Sequence, residues 1–325
     1  MSGIRLFLAA VLLTPPIGAQ SADTAARLRD LLRDTPRLPV EQIPIASRMA
    51  NAESLGTVSS VAADRNGVIY VLQRGDKADP LIAVTKEGRM LRSWGKGMFN
   101  VPHSVRIDAE GDIWTVDAGS SVLLKFSPEG KKLQEISVGE IATGQKCAFP
   151  TLCGTTDVAF AANGRLFISD GYGNARILEY SADGTRLNMW GSPGSGPGQF
   201  QIPHGIAVNG NVLYVADRGN ARIQRFDLSG RYLGEWTHLG RPFALKITGG
   251  ALWVAIMTLE QPGQGQTGRA SPWLLKVDPM TGRVLGQIEL PGPHSIDVSE
   301  REEFFASGCC GGSNPNGFSW FRRTR

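Results

Sequence analysis

The sequence predicts an all-β protein, a six-bladed β-propeller built of four-stranded antiparallel blades. Three observations point there. The 325 residues include 40 glycines and 19 prolines, turn-forming content that suits many short strands and disfavours a helical bundle. From Gly56 onward, one pattern recurs six times: an alternating strand, a turn and a second alternating strand. The residue preceding each first strand falls on Ser59, His103, Thr156, His204, Phe243 and His294, roughly 40 to 50 residues apart, which is the length of one propeller blade.

Taken in order, residues 1–19 (MSGIRLFLAAVLLTPPIGA) have the form of a signal peptide: Arg5, an apolar run from Leu6 to Leu13, and small residues before a cleavage point near Ala19. The apolar run is far shorter than the ~20 residues that span a bilayer. An exported, periplasmic or secreted protein without stable membrane insertion is therefore expected. Residues 20–55 form an N-terminal helix and linker. Leu28, Leu31 and Leu32 sit at helical spacing within a segment from Asp23 to Arg37, expected to lie outside the propeller and to end at Pro36 and Pro39.

The propeller occupies residues 56–325. Its strand pairs begin at Ser60 (SVAADRNGVIYVLQRGD), Ser104, Asp157, Gly205, Ala244 and Ser295. Third strands such as LLKFSPEG, ILEYSADG and IQRFDLSG follow, then fourth strands such as TRLNMW and RYLGEW. The last copy stops one strand short after GFSWFRR, and a strand from Pro39 to Met49 would complete it and close the ring.

Composition excludes several classes. Charged residues are 20% and hydrophobic residues 42%, enough to bury a large core and incompatible with disorder. The formal net charge of +4 is spread along the chain, unlike the concentrated basic face of a nucleic-acid binder. A monomer without a nucleic-acid partner is expected. Cys147, Cys153, Cys309 and Cys310 have no zinc-ligand spacing. In an exported chain they are free to form a disulfide, with the pairing open.

Three of the four histidines share one place in their repeats: VPHSV at His103, IPHGI at His204 and GPHSI at His294. That place opens the innermost strand of blades two, four and six, and innermost strands line the central channel. Alternate blades bring three imidazoles to one axis with near three-fold spacing. Three imidazoles with an open fourth position make a catalytic zinc arrangement, and neutral imidazole also accommodates copper, iron or nickel. The fourth, His238, is out of register. The turns after the second strands face the same channel end and carry Arg74, Tyr172 and Arg218. Arginine offers a rigid fork for a carboxylate, and a tyrosine beside a cation is a candidate base. Asp117, Asp170 and Asp217 recur in these turns as backbone-bonding scaffold, with Asn174, Arg176, Asn220 and Arg222.

The QRGD turn, NVPHSVRID, TTDVAF with SDGYGNARI, and GQFQIPHGIAV with VADRGNARIQ together resemble the peptidyl-α-hydroxyglycine α-amidating lyase family, among the NHL-like six-bladed propellers. The similarity covers nearly all of Gly56 to Ile296. It implies catalytic zinc on His103, His204 and His294, a catalytic Tyr172, and substrate-site Arg74 and Arg218. It also implies a C–N lyase that splits an N-acyl-α-hydroxyglycine, free or on a peptide, into an amide and glyoxylate. Backbone carbonyls serving a structural calcium in the family would fall on Val58 and Val105. Ser295 stands where the family has a calcium-binding Asp, which argues against that ion here. Gly292 replaces a family Met, and Cys153 matches a family disulfide cysteine whose partner position is Gly173, leaving Cys147 as a substitute. The alternative function is a non-catalytic exported NHL-type propeller that binds a protein, peptide or glycan.

Overall fold

The computed structural model describes residues 17–45, 49, 52–138, 152–257, 272–290, 294–308 and 317–324. Residues 1–16 of the expected signal peptide, three of the cysteines (Cys147, Cys309 and Cys310) and Gly292 lie outside these residues.

Six four-stranded antiparallel sheets are arranged as a propeller. Blade one comprises Val58–Ala63, Ile69–Gln73, Leu81–Val84 and Met90–Trp94. The inner strands of blades two to six are Pro102–Ile107, Asp157–Phe160, Pro203–Asn209, Arg241–Thr248 and Ser295–Val298. Blade six takes its outermost strand from the N-terminal region: Val40–Ile43 pairs antiparallel with Phe318–Arg323, Val40 opposite Arg323 and Ile43 opposite Trp320. The last blade is thereby completed by the first strand of the chain.

The burial pattern explains why second strands read as apolar runs. In Ile69–Gln73, Ile113–Asp117 and Leu166–Asp170 every residue is buried, because each blade packs a neighbour on both faces. The outermost strands face solvent, as Arg186–Trp190 does along nearly its whole length. Six apolar clusters hold the ring, one between each pair of adjacent blades. Tyr70, Leu72, Val105 and Phe126 join blades one and two, and Ile69, Val71, Phe305 and Phe318 join blades six and one. Burying such side chains contributes about 1.5–3 kcal/mol each. At the blade rims a tryptophan lies on the turn of the next blade. Gly282 (φ 77°) leaves no room for a Cβ, which would lie 2.6 Å from Trp236.

The N-terminal helix differs from expectation. It runs from Ile17 to Asp34 and is docked on the propeller rather than lying apart from it. Leu28 is buried in the cluster between blades four and five with Leu239 and Ile256, and Leu31 and Leu32 pack beside it. The leucine spacing makes an apolar stripe that needs a partner, and the seam between those blades supplies it. Thr35 and Leu32 anchor the helix end through their carbonyls, both accepting from the buried Gln287 amide. No described helix is long and apolar enough to cross a membrane.

Candidate metal centre

The register position selects the site. His103, His204 and His294 stand at the start of inner strands, 2, 3 and 2% exposed, with ligand atoms all within 4.8 Å of one another. Their ring centroids form a nearly equilateral triangle, with sides of 5.1, 4.9 and 5.1 Å.

Each imidazole is oriented by the blade that follows. His103 Nδ1 donates to the Thr156 carbonyl at 2.6 Å, His204 Nδ1 to that of Phe243 at 2.7 Å, and His294 Nδ1 to that of Ser59 at 2.9 Å. These acceptors are the register residues of the three blades without histidine. A carbonyl oxygen only accepts, so each Nδ1 carries the proton and each Nε2 presents its lone pair to the axis. Outer-shell carbonyls of this kind fix tautomer and ring orientation in metal-binding histidines.

Electrostatics keep the rings neutral. Burial holds His103 and His204 well below the ordinary imidazole range, reinforced by neighbouring imidazoles and by Arg74 and Arg218 respectively. His294 is pushed down to about 3 by burial and by Arg74. Three buried, neutral imidazoles with convergent Nε2 atoms fit a borderline-soft divalent ion such as zinc.

Tyr172, Arg74 and Arg218 come to the same place. The Tyr172 hydroxyl lies 3.0 Å from Nε2 of His103 and 3.0 Å from Nε2 of His204. Burial raises its phenol above the ordinary value, while Arg218 and Arg74 pull it back. Gly171 makes this approach feasible, since a Cβ there would lie 2.0 Å from the Pro203 carbonyl oxygen. The Arg74 side chain is anchored through Nε to the Pro102 carbonyl at 2.9 Å. Arg218 places its guanidinium over the rings of Tyr172 and Phe243, 5.5 and 5.0 Å from their centroids, and its side chain also hydrogen-bonds Tyr172.

Two contributors escaped the sequence reading. Phe243, one of the register residues without a histidine, supplies both the His204 acceptor and the face under Arg218. Ile202, directly before Pro203-His204, adopts φ 58°, a left-handed conformation that a β-branched residue rarely takes. Its carbonyl receives the Arg218 backbone N–H at 3.2 Å, so local strain helps to place Arg218. His238 lies apart, its Nε2 donating to the Gly282 carbonyl at 3.0 Å. Asp117 and Asp217 cap turn amides; Asp217 also holds Arg222, whereas Asp170 bonds the side chains of Asn174 and Arg176 rather than the expected turn backbone.

Below the triad the residues present do not fit calcium. Calcium takes six to eight oxygens, including carboxylates. Ser295 offers a hydroxyl, which is paired with Ser60 Oγ at 2.9 Å, and Ser60 Oγ also accepts from the Val105 amide at 3.0 Å. The carboxylate at this level, Asp157, is held by Arg106. Val58 and Val105, whose carbonyls the family resemblance assigns to a calcium that Ser295 argues against, are buried on the inner strands of blades one and two.

Residues 200–226 match the NHL repeat family. The mouse protein named NHL repeat-containing protein 3 is 31% identical over 267 residues, covering 70% of this chain and 76% of that protein. The chain belongs to the NHL-repeat propeller family. Within it, the chain is similar to a probable peptidyl-alpha-hydroxyglycine alpha-amidating lyase of Caenorhabditis elegans, 29% identical over 193 residues, 51% of this chain and 54% of the relative. The chain thus spans about half the length of that curated relative. Among solved structures, a streptogramin B lyase superposes with a TM-score of 0.58 at 17% identity, covering 89% of this chain and 88% of the other, a likeness of fold.

Proposed function

We propose that this NHL-repeat propeller is a zinc-dependent C–N lyase of the amidating type, acting on an N-acyl-α-hydroxyglycine. The observation carrying the reading is the convergence of three Nε2 lone pairs with the Tyr172 hydroxyl 3.0 Å from two of them. The similarity to a named amidating lyase supplies the substrate class. His103, His204 and His294 would hold the ion, which supplies a Lewis acid for a hydroxyl oxygen and a divalent charge that draws the Tyr172 phenol toward ionisation.

The chain's own groups account for the rest. Arg218, whose planar fork lies over Tyr172 and Phe243, and Arg74 hold the substrate carboxylate and offset its charge. That places the neighbouring carbinol carbon beside Tyr172. The phenolate takes the hydroxyl proton, the oxygen's electron pair forms the aldehyde, the C–N bond breaks, and the amide nitrogen recovers a proton from the phenol. The products are a primary amide and glyoxylate. The reading takes the protein as exported and monomeric.

The test is glyoxylate release from a simple N-acyl-α-hydroxyglycine by zinc-supplemented protein, with Tyr172→Phe alongside. Release far above the spontaneous rate, lost by about 10²–10⁴-fold in the variant, is expected. Folded, zinc-loaded protein that releases none would overturn the assignment. The second reading is a non-catalytic propeller binding a protein, peptide or glycan; the longer match, to the mouse NHL repeat-containing protein 3, carries a name that specifies no reaction. Protein that folds but retains no stoichiometric zinc would decide for it.

A further inference from the structure

Directly beneath the triad the channel narrows to a pocket of about 10 Å³, bordered by the three histidines, Arg106, Asp157 and Ser295. That is about the volume that admits one water. Arg106 is 7% exposed, and every nitrogen of its guanidinium donates a bond. Nε donates to Asp157 Oδ1 at 2.8 Å, Nη2 to Asp157 Oδ2 at 2.5 Å, and Nη1 to the Ile296 carbonyl at 2.9 Å. Asp157 also accepts from Ser104 Oγ at 2.7 Å and from the Ile206 amide at 3.4 Å. Close by, Asp297 pairs with Lys246 at 2.7 Å and accepts from the Ala63 amide at 2.8 Å.

These bonds join all six blades across the axis. Arg106 comes from blade two, Asp157 from blade three, Ile206 from blade four, Lys246 from blade five, Asp297 and Ile296 from blade six, and Ala63 from blade one. A fixed positive charge that gathers a carboxylate and a carbonyl from different blades does the electrostatic work of a bound cation. Arginine is suited to it, being planar, forked and permanently protonated.

We propose that Arg106 is the resident cation of the channel: its guanidinium, covalently part of the chain, takes the role that a divalent ion would have beneath the triad. Serine at position 295, with its hydroxyl given to Ser60, is the matching change, since a second carboxylate is no longer required there. The protein accordingly has one metal level, at the histidines, and none below it. The proposal stands whatever reaction the triad supports.

The test uses the full chain. Wild-type protein, chelator-treated and reloaded with zinc alone, is melted with and without millimolar calcium, and its calcium content is measured by plasma emission. No shift in Tm and no stoichiometric calcium are expected. The double variant Arg106→Ser/Ser295→Asp restores an oxygen-rich pocket without the built-in charge, and calcium is expected to raise its Tm by about 5 °C or more. Arg106→Lys keeps the charge and loses the fork, and is expected to melt below wild type while staying insensitive to calcium. Wild-type protein that binds one calcium per chain, or that melts higher with calcium, would overturn the proposal even if every variant failed to fold. So would an Arg106→Lys variant that became calcium-dependent.

Discussion

The upper and lower levels of the channel use the same kinds of buried polar group in opposite ways. At the lower level, Arg106 and Asp157 pair through two bonds, and Ser104, the Ile206 amide and the Ile296 carbonyl bind them further. At the upper level each imidazole is satisfied on Nδ1 and presents Nε2 to the axis, where those of His103 and His204 meet Tyr172. A buried polar cluster that is internally saturated fixes structure; one oriented but left with unused lone pairs is prepared for a ligand. The two lie in adjacent layers, so the saturated layer is the floor on which the other is aimed.

The comparison breaks first at the upper level. His204→Ala is expected to lose the triad's metal, measured by plasma emission, and to reduce glyoxylate release by about 10³-fold or more, because several kcal/mol of charge stabilisation goes with the ion. The fold should persist, since six interblade clusters hold it. At the lower level the reverse split is expected. Asp157→Ala strands the Arg106 guanidinium without its counter-charge and should cost about 3–5 kcal/mol of stability in urea denaturation.

A smaller effect sharpens the role of the arginines. Arg218→Lys keeps the charge but loses the planar face over Tyr172 and Phe243, and should raise KM by about tenfold with zinc content unchanged, about 1.4 kcal/mol. The gentlest test is pH. The folded His294 value of about 3 lies below the ~6.5 of an unfolded imidazole, so the unfolded chain binds protons first as pH falls. Metal-free protein should therefore keep its full imidazole contribution above about pH 6.5 and lose stability progressively as pH drops toward 3, as Tm across that range would record. His103 and His204 act in the same direction. A flat profile would mean that the rings are protonated or exposed in the folded state.

Much of the upper level is legible in the sequence because repeats place equivalent residues at equivalent positions. Pro-His at His103, His204 and His294 identifies the axis, and the other register residues, Ser59, Thr156 and Phe243, prove to be the carbonyl acceptors. The floor is not legible in that way. Arg106 occurs once, on an alternating strand where a polar residue normally faces water, and its partner lies 51 positions away in the next blade. The helix illustrates the same limit: its leucine stripe was readable, whereas its seat beside Leu239 and Ile256 belongs to residues more than 200 positions distant. Local period reveals which face of an element is apolar; only topology reveals what covers it.

The ring is fastened by Val40–Ile43 lying against Phe318–Arg323, and this has a consequence for timing. The pairing joins the opening of the domain to its end, a contact of nearly maximal sequence separation, so its loop-closure entropy is met late. His294 belongs to the blade so fastened. Nascent chains that have made five blades hold two imidazoles and no triangle, so under the proposed function they would compete poorly for zinc. On the proposed function, metal capture would record that Val40–Ile43 has met Phe318–Arg323, and a chain lacking either strand should announce itself by failing to load.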